Sequence, residues 1–263
     1  MDNNIPIVLT IGGHDPTGGA GITADIENIS SKGCYPLSLI SCLTSQNTYK
    51  YEHAQPVDPL LFSNQANILI SDIKINIVKI GVLPSFNIIK KIKEEVLDRL
   101  KGVKVIVDPI IKSSTGGVFL NRDAIEGLKT LIFPKSFLIT PNLEEIKILS
   151  GKKDLVSAVN SLFSFSPEYI LVKDIKKSEE HILNHLYSKN GLEHSWSHPR
   201  LKGNYHGTGC YLASSIACFL ALSNNIETAI EQAQLDTIKA VRNSIKIGKG
   251  LKILKRNSEQ EIS

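Results

Sequence analysis

The feature that most constrains the fold is the alternation of short apolar runs, rich in Val and Ile, with segments of helical periodicity. Several of these runs are apolar throughout, which is typical of parallel strands covered on both faces of a sheet. The predicted strands are residues 7–11, 37–43, 77–82, 103–107, 137–140 and 169–172. Strands that alternate with helices at this spacing predict an α/β fold, with a mostly parallel central sheet and helices on both of its faces.

Helix-start signals lie between the predicted strands. Asp58 followed by Pro59 places an N-cap residue before a proline at the first helical position. Further helices are predicted to begin near Ala20, Pro84 and Arg122 and after Asn142. Towards the C-terminus, residues 181–187 and 192–196 alternate around an Asn-Gly pair, which is a strong hairpin signal. An antiparallel hairpin is therefore predicted to complete the sheet, and helices are predicted at about 207–223 and 226–245.

Length and charge limit the classes of function. A chain of 263 residues without repeats or linkers is predicted to form one domain over residues 1–263, with a basic tail that we expect to be disordered from about residue 252. Its net charge of +4 suits an anionic ligand such as a nucleotide and is too small to indicate nucleic-acid binding. No signal-peptide pattern and no apolar run of the ~18 residues that a membrane helix needs is present, so we predict a cytoplasmic protein without membrane association.

The cysteines do not form a metal or redox motif, because they contain no C-x-x-C pair and no zinc-like spacing with histidine. Cys34, Cys42 and Cys218 lie in apolar surroundings and are predicted to be core residues. Cys210 follows a glycine-rich segment at the start of a long apolar helix. The helix dipole favours a thiolate there, whereas burial opposes it.

The segment from Gly203 to Cys210 is the strongest candidate for an anion site. Small residues let the backbone approach a ligand, and the first N–H groups of a helix have no internal partner. Gly207, Thr208 and Gly209 are therefore predicted to bind a phosphoryl group. Open α/β sheets bind ligands beyond the carboxyl ends of their strands. Polar or glycine-rich residues follow the predicted strands at 12–21, 44–47, 108–109, 140–145 and 173.

The residues His206-Gly207-Thr208-Gly209-Cys210 resemble the C-terminal signature of the ribokinase superfamily, whose sugar kinases have an Asp in place of the Cys. With Cys at this position, the chain resembles the hydroxymethylpyrimidine and phosphomethylpyrimidine kinases. The resemblance covers nearly the whole chain and is carried in order by LTIGGHDPTGGAGITAD from residue 9, LTSQNT from 43, KIGVL from 79, VDP from 107 and TPNLEE from 140.

The resemblance implies a ribokinase-like three-layer sandwich that uses ATP and Mg²⁺. It implies phosphorylation of 4-amino-5-hydroxymethyl-2-methylpyrimidine and of its monophosphate, in thiamine biosynthesis, by a homodimer. It places the following residues at the pyrimidine: Gly13, Ala20, Asp25, Gln46 and Val82. Asp25 is equally compatible with a polar position on the first helix, and Val82 stands where the family commonly has Met.

Gln46 is the residue that we expect to read the base. An aminopyrimidine edge presents an amine donor beside a ring-nitrogen acceptor, and a carboxamide can pair with both. From the residues alone, a surface amide is the more frequent case. The resemblance reverses that order, because the pyrimidine kinases have a Gln here.

Asn142 and Glu145 are three residues apart at a predicted helix start and therefore lie on one face. The resemblance implies that this motif organises Mg²⁺, which prefers carboxylates, waters and phosphate oxygens. Asp108 is a second acidic candidate near the metal and phosphates. A helix cap at Asn142 and a turn at Asp108 explain the same residues without a metal.

Lys173 ends a predicted apolar strand and must reach water or an anion, because burial of an unpaired ammonium group is costly. The resemblance implies that it contacts nucleotide phosphate. The family usually continues with two glycines and a His, whereas this chain has Asp174-Ile175-Lys176-Lys177. Lys176 is a candidate substitute contact, and residues 248–250 weakly resemble a nucleotide-side loop.

In the predicted reaction, a hydroxymethyl oxygen attacks the γ-phosphorus of ATP, and catalysis is mainly positioning and charge neutralisation. Cys210 acts either as a proton acceptor or as a shape and dipole element. Two alternatives remain open at this stage. One is a pyridoxal kinase of the same superfamily, which Gln46 disfavours. The other is a catalytically impaired aminopyrimidine-binding protein, which the altered segment after Lys173 favours.

Overall fold

The computed structural model describes residues 5–256, which form a nine-stranded sheet with the order β3-β2-β1-β4-β5-β6-β7-β8-β9. The strands are β1 (Ile7–His14), β2 (Tyr35–Gln46), β3 (Tyr51–Pro56), β4 (Ile77–Ile80), β5 (Lys104–Val107), β6 (Leu138–Ile139), β7 (Tyr169–Lys176), β8 (His181–Ser188) and β9 (Gly191–Pro199). The strands from β2 through β1 to β7 run parallel, and β3, β8 and β9 pair antiparallel at the two edges. The predicted strands are therefore confirmed.

The helices are α1 (Gly21–Ser31), α2 (Pro59–Asp72), α3 (Phe86–Lys91), α4 (Arg122–Gly127), α5 (Leu143–Ser150), α6 (Leu155–Phe163), α7 (Thr208–Ala221) and α8 (Ile226–Arg242). Buried side chains of α2 to α6 pack on one face of the sheet. Those of α1, α7 and α8 pack on the other face. This arrangement confirms the predicted three-layer α/β sandwich.

The central strands are apolar because both of their faces are covered. Every residue of β4 is buried, and β5 is buried from Val105 to Val107. Helix α7 is buried along almost its whole length, and small residues such as Ala213 and Ala217 allow it to pack tightly against the sheet. Burial of the long helix therefore fixes the position of its first turn at the carboxyl ends of the parallel strands.

The predicted hairpin is confirmed by β8 and β9, whose last pair joins Ser188 to Gly191. Gly191 has a φ of 123°, which only glycine adopts readily. Leu186 and Trp196 of the hairpin are buried against the layer that contains α7 and α8. Asn184 donates to Gln234 of α8 at 2.6 Å. The hairpin is thus fixed to the same helical layer that carries the glycine-rich turn.

Sequence reasoning missed β3, α6 and two π-helical stretches, residues 92–97 after α3 and residues 128–132 after α4. The residues of β3 are mostly polar or exposed, because it is an edge strand with only one neighbour in the described part of the chain. Such a strand has no apolar pattern that would reveal it.

The prediction of a disordered tail is wrong for residues 252–256. Strand β11 (Lys252–Ile253) pairs in parallel with β10 (Tyr205–His206), so this segment is held by backbone hydrogen bonds. Arg256 is buried as well. The rest of the predicted tail, residues 257–263, lies outside the described residues. Among residues 5–256, no helix combines the length and the apolar character required to cross a bilayer.

Candidate active site

A cleft of about 440 Å³ lies beyond the carboxyl ends of the parallel strands. It brings together the predicted site residues other than Lys176 and residues 248–250. The site residues that line it are Gly13, Ala20, Asp25, Gln46, Val82, Asp108, Asn142, Glu145, Lys173, Gly207, Thr208, Gly209 and Cys210. Segments far apart in the chain therefore converge on one space.

The glycine-rich turn before α7 is pressed against the loop that follows β1. Gly207 has a φ of 85°, and a Cβ atom there would lie 2.0 Å from the carbonyl oxygen of Gly19. A Cβ atom on Gly209 would lie 3.2 Å from Asp108 Oδ2 and 3.4 Å from Lys173 Nζ. The turn thus requires glycine at Gly207 and presents its backbone to a buried charge pair.

The loop after β1 is organised by Asp15. Its carboxylate accepts hydrogen bonds from the backbone of Thr17 at 2.9 Å and of Ala20 at 3.0 Å. His206 Nε2 lies 2.7 Å from Asp15 Oδ2, and both side chains are buried. Burial raises the pKa of Asp15, but the hydrogen bonds from His206 and Thr17 outweigh it and hold that pKa below its usual value. This loop and the glycine-rich turn are therefore joined by a buried pair.

A first buried ion pair joins Asp25 of α1 to Lys79 of β4, with Lys79 Nζ 2.7 Å from Asp25 Oδ2. Each side chain is 1% exposed. Thr10 donates a further hydrogen bond of 2.6 Å to the same carboxylate oxygen. Burial lowers the pKa of Lys79, but the facing Asp25 carboxylate outweighs it, so the lysine stays charged.

A second buried ion pair joins Asp108, after β5, to Lys173 of β7 at 2.8 Å. Thr140 donates to the same oxygen, Asp108 Oδ1, at 3.0 Å. Asp108 Oδ2 is buried and has no hydrogen-bond partner among the described residues. Burial lowers the pKa of Lys173, but Asp108 and Glu145 together raise it above its usual value. The free oxygen faces the cleft region beside Gly209.

Asn142 and Glu145 form a capping box at the start of α5. The side chain of Asn142 accepts from the Glu145 N–H at 2.8 Å, and Glu145 Oε2 accepts from the Asn142 N–H at 2.8 Å. Burial raises the pKa of Glu145 to about 7, although Lys173 acts in the opposite direction. The motif is therefore a helix cap and, at the same time, a buried acid that lines the cleft.

Cys210 lies at the base of the cleft and is 5% exposed. Burial raises the pKa of its thiol to about 11, while the Lys79 ammonium and the Gly21 N–H act in the opposite direction. Burial thus outweighs the helix dipole that the sequence suggested. At neutral pH the resting side chain is a thiol.

Gln46 closes another side of the cleft, at the end of β2. Its carboxamide oxygen is buried and has no hydrogen-bond partner among residues 5–256. A buried amide oxygen without a partner is unfavourable. A ligand with an N–H group in this part of the cleft would satisfy it.

The segment after Lys173 adopts an unusual backbone. Asp174 has a φ of 59°, and its N–H donates to Asn184 at 3.0 Å where the pairing of β7 with β8 shifts register. Glycine would adopt this conformation without strain. Lys176 is exposed and pairs with Glu179.

The expected nucleotide-side loop at residues 248–250 lies elsewhere. Cβ atoms on Gly248 and Gly250 would fall 2.5 Å and 2.0 Å from atoms of Thr48. The two glycines are thus packed on Thr48, which lies in the turn between β2 and β3. Residues 248–250 contribute nothing to the lining of the main cleft or of the second cleft described below.

A second cleft of about 390 Å³ adjoins the first and shares four residues with it: Lys173, Asp174, Thr208 and Gly209. Its other walls come from the β8–β9 hairpin, the segment that follows it and α8, including Ile182, Leu201 and Ile238. Two spaces therefore meet at the first turn of α7.

Sequence reasoning assigned no role to Lys79, Asp15 or Thr140. Lys79 was detectable, because a lysine inside an otherwise apolar run must find an anion, as was argued for Lys173. The partner of Asp15 was not detectable. His206 is 191 residues away in the chain.

A sequence model of the family described as phosphomethylpyrimidine kinase matches residues 15–255. The chain belongs to this family. A hydroxymethylpyrimidine/phosphomethylpyrimidine kinase of Streptomyces coelicolor is 31% identical over 254 residues, which are 94% of this chain and 92% of that protein. A "thiamine biosynthesis bifunctional protein" of Geobacter sulfurreducens is 32% identical over 92% of this chain. The chain spans about half the length of that protein and of some other curated relatives.

Solved structures agree on the fold. The crystal structure of phosphomethylpyrimidine kinase from Clostridium difficile is 29% identical, has a TM-score of 0.76, and matches 90% of this chain and 99% of that one. The pyridoxal kinase of Staphylococcus aureus in complex with pyridoxal has a TM-score of 0.86 at 22% identity, over 98% of this chain and 96% of that one. At that identity, the second match supports the ribokinase-like fold alone.

Replacement of Asp174 by Gly is expected to raise the free energy of unfolding by up to about 1 kcal/mol, because glycine adopts a positive φ without a clash of its Cβ atom. Asp174→Val should lower it by more than about 1 kcal/mol, since β-branched residues tolerate this region poorly. Denaturant titration measures both. Lys176→Gly, in the same strand, is the matched control and should be destabilising. A Val variant as stable as the Gly variant would contradict the explanation.

The raised pKa of Glu145 predicts a pH-dependent stability. A folded-state pKa of about 7, against 4.5 for the free side chain, means that the native state favours the protonated acid. This contribution is fully present below pH 4.5 and is lost as pH rises through about 7. Relative to Glu145→Gln, the wild-type protein should therefore lose stability between pH 5 and pH 8, by as much as about 3 kcal/mol.

The free energy of unfolding in urea at several pH values measures this difference. Glu144→Gln removes an exposed acid from the same helical turn and is the control. A difference between wild type and Glu145→Gln that is independent of pH would show that Glu145 does not titrate in this range.

Proposed function

We propose that this chain is an ATP-dependent kinase that phosphorylates 4-amino-5-hydroxymethyl-2-methylpyrimidine and then its monophosphate, a pair of steps in thiamine biosynthesis. One observation carries the proposal. A buried carboxamide oxygen without a partner, on Gln46, lines the same cleft as a glycine-rich helix start flanked by two buried lysines. Membership of the phosphomethylpyrimidine kinase family supports the same substrate.

The base would bind at Gln46. The exocyclic amine of the pyrimidine donates to the free Oε1 atom, and the adjacent ring nitrogen accepts from the carboxamide nitrogen. Gly13 is packed tightly, because a Cβ atom there would lie 2.7 Å from Val82 and 2.8 Å from Cys42. Glycine is therefore required in this wall of the cleft.

ATP would occupy the second cleft, with its phosphates at the residues that both clefts share. The N–H groups at Thr208 and Gly209 begin α7 and suit the transferred phosphoryl group. Lys173 would offset the charge that is spread over that group. In this proposed arrangement, the hydroxymethyl oxygen of a substrate in the first cleft would lie beside the γ-phosphorus of a nucleotide in the second.

Mg²⁺ fits the acidic groups here. Asp108 offers a buried oxygen without a partner, and Glu145 offers a second carboxylate in the same cleft. Within residues 5–256, no group of three or more His, Cys, Asp or Glu side chains is arranged to hold a metal. The ion would therefore complete its shell with waters and phosphate oxygens, as Mg²⁺ prefers. When bound, it would neutralise charge on the phosphates.

Cys210 would act by filling space in the cleft and by fixing the orientation of the first turn of α7. Its raised pKa leaves a protonated thiol at neutral pH, which is a poor proton acceptor. The thiol fills the base of the cleft next to Gly21. It would hold the attacking group near the first turn of α7.

The proposal extends to a cytoplasmic homodimer. Leu60, Leu61 and Ile68 of α2 are 69%, 52% and 73% exposed, which gives this helix an apolar outer surface. Exposed apolar patches of this kind are typical of protein interfaces.

The experiment that tests the substrate is ADP release with Mg-ATP, comparing the hydroxymethylpyrimidine, its monophosphate and pyridoxal in parallel. We expect turnover of the two pyrimidines and slow turnover of pyridoxal. Gln46→Leu should raise KM for the pyrimidines by about tenfold to a hundredfold, because a substrate N–H and a ring nitrogen lose their partners. Turnover of pyridoxal alone would contradict the pyrimidine assignment and identify pyridoxal as the substrate. No turnover of any of the three would favour a binding role.

A second experiment separates the two roles of Cys210. The first step deprotonates an alcohol, whereas the second uses a phosphate oxygen that needs no base near neutral pH. If the thiol acts through shape, Cys210→Ala should lower kcat of both steps by a similar factor. Cys210→Ser, which keeps a small polar group, is the matched variant. A loss confined to the first step would show that Cys210 is a base.

A further inference from the structure

Arg256 lies just past the segment that matches the family model, and its side chain is 3% exposed. Its guanidinium donates to the carbonyl oxygens of Gly18 and Gly19, each at 2.6 Å. It also contacts Glu27 of α1 at 2.9 Å. A buried arginine that bonds two successive carbonyls is a geometric clamp, because its planar fork fixes both acceptors at once.

The clamped residues lie in a loop that has little support of its own. Gly18 and Gly21 have φ values of 68° and 64°, so the backbone follows a path open mainly to glycine. Asp15 holds the loop from the inside through the Ala20 N–H. Arg256 holds the carbonyls on its other side. Ala20 and Gly21, the next two residues, line the cleft.

The same loop contacts the phosphate end of the site. The carbonyl of Gly19 lies against Gly207, where a Cβ atom would come within 2.0 Å of it. The Gly21 N–H lies close enough to the Cys210 thiol to lower its pKa. A shift of Gly18 and Gly19 would therefore be transmitted to the substrate-lining residues and to the glycine-rich turn together.

We infer that Arg256 is a positioning residue for the substrate cleft, which it reaches through the carbonyls of Gly18 and Gly19. The inference rests on the proposed kinase function for its kinetic readout only. The ion pair with Glu27 is a lesser part of the contact, because Glu27 is 51% exposed and such pairs stabilise little. The charge-assisted bonds to the two carbonyls carry the effect.

Steady-state kinetics of full-length variants test the role. Arg256→Ala should raise KM for the pyrimidine by about tenfold, as expected for loss of bonds to a charged group. The dissociation constant for ATP, measured without pyrimidine, should change by less than about twofold. Arg256→Lys keeps the charge but cannot bridge two carbonyls, so KM should remain raised. Glu27→Gln and Lys255→Ala, an exposed neighbour, should behave as wild type.

Amide hydrogen exchange provides a readout that needs no substrate. In Arg256→Ala, the amides of residues 18–21 should exchange faster, while those of the buried strand β4 remain protected. If the wild-type protein turns over neither pyrimidine, the proposed function fails, and hydrogen exchange alone tests whether Arg256 positions the loop. An unchanged pyrimidine KM, or unchanged exchange at residues 18–21, would overturn the inference. A uniform loss of protection across the chain would show a purely structural role and would overturn it as well.

Discussion

The site depends on two lysines that are buried at the carboxyl ends of parallel strands. A buried ammonium group is tolerated only when a carboxylate faces it at close range. Lys79 and Lys173 meet this condition through Asp25 and Asp108. Each carboxylate is further fixed by a threonine hydroxyl. Loss of either partner would leave an uncompensated charge in the interior. The two ion pairs therefore fix the relative positions of α1, β4, β5 and β7, and they also supply the charges that line the cleft.

Next to these ion pairs, backbone atoms rather than side chains form part of the cleft wall. Gly207 approaches Gly19 so closely that no side chain fits between them. Helix α7 begins at this contact and continues into the core. Because the interior is close-packed, the N–H groups that begin the helix are held in place by the burial of the whole helix. The rigid first turn of α7 and the glycine-rich loop after β1 are thus parts of one arrangement.

The parts of the structure that repeat a strong local pattern were predictable from the sequence. The apolar runs located the parallel strands, and Asn190 before Gly191 located the hairpin. The cleft residues were predictable because they follow strand ends and match a known family. The edge strand β3 was not predictable, since its exposed residues carry no apolar period. The bond between Asp15 and His206 and the burial of Arg256 were also hidden, because they depend on tertiary contacts between distant segments. For Cys210, the sequence supplied two opposing effects, and only the degree of burial decided between them.

The cleft is assembled from the two ends of the described chain. The loop at residues 12–21 is synthesised before its partners His206, Gly207 and Arg256. The loop therefore lacks the side chains and backbone groups that hold it while the strands of the central sheet are being synthesised. A nascent chain can bury most of its parallel strands before it has a place for a substrate. Competence to bind would then appear only once residues 206–256 have been synthesised and have packed against the loop.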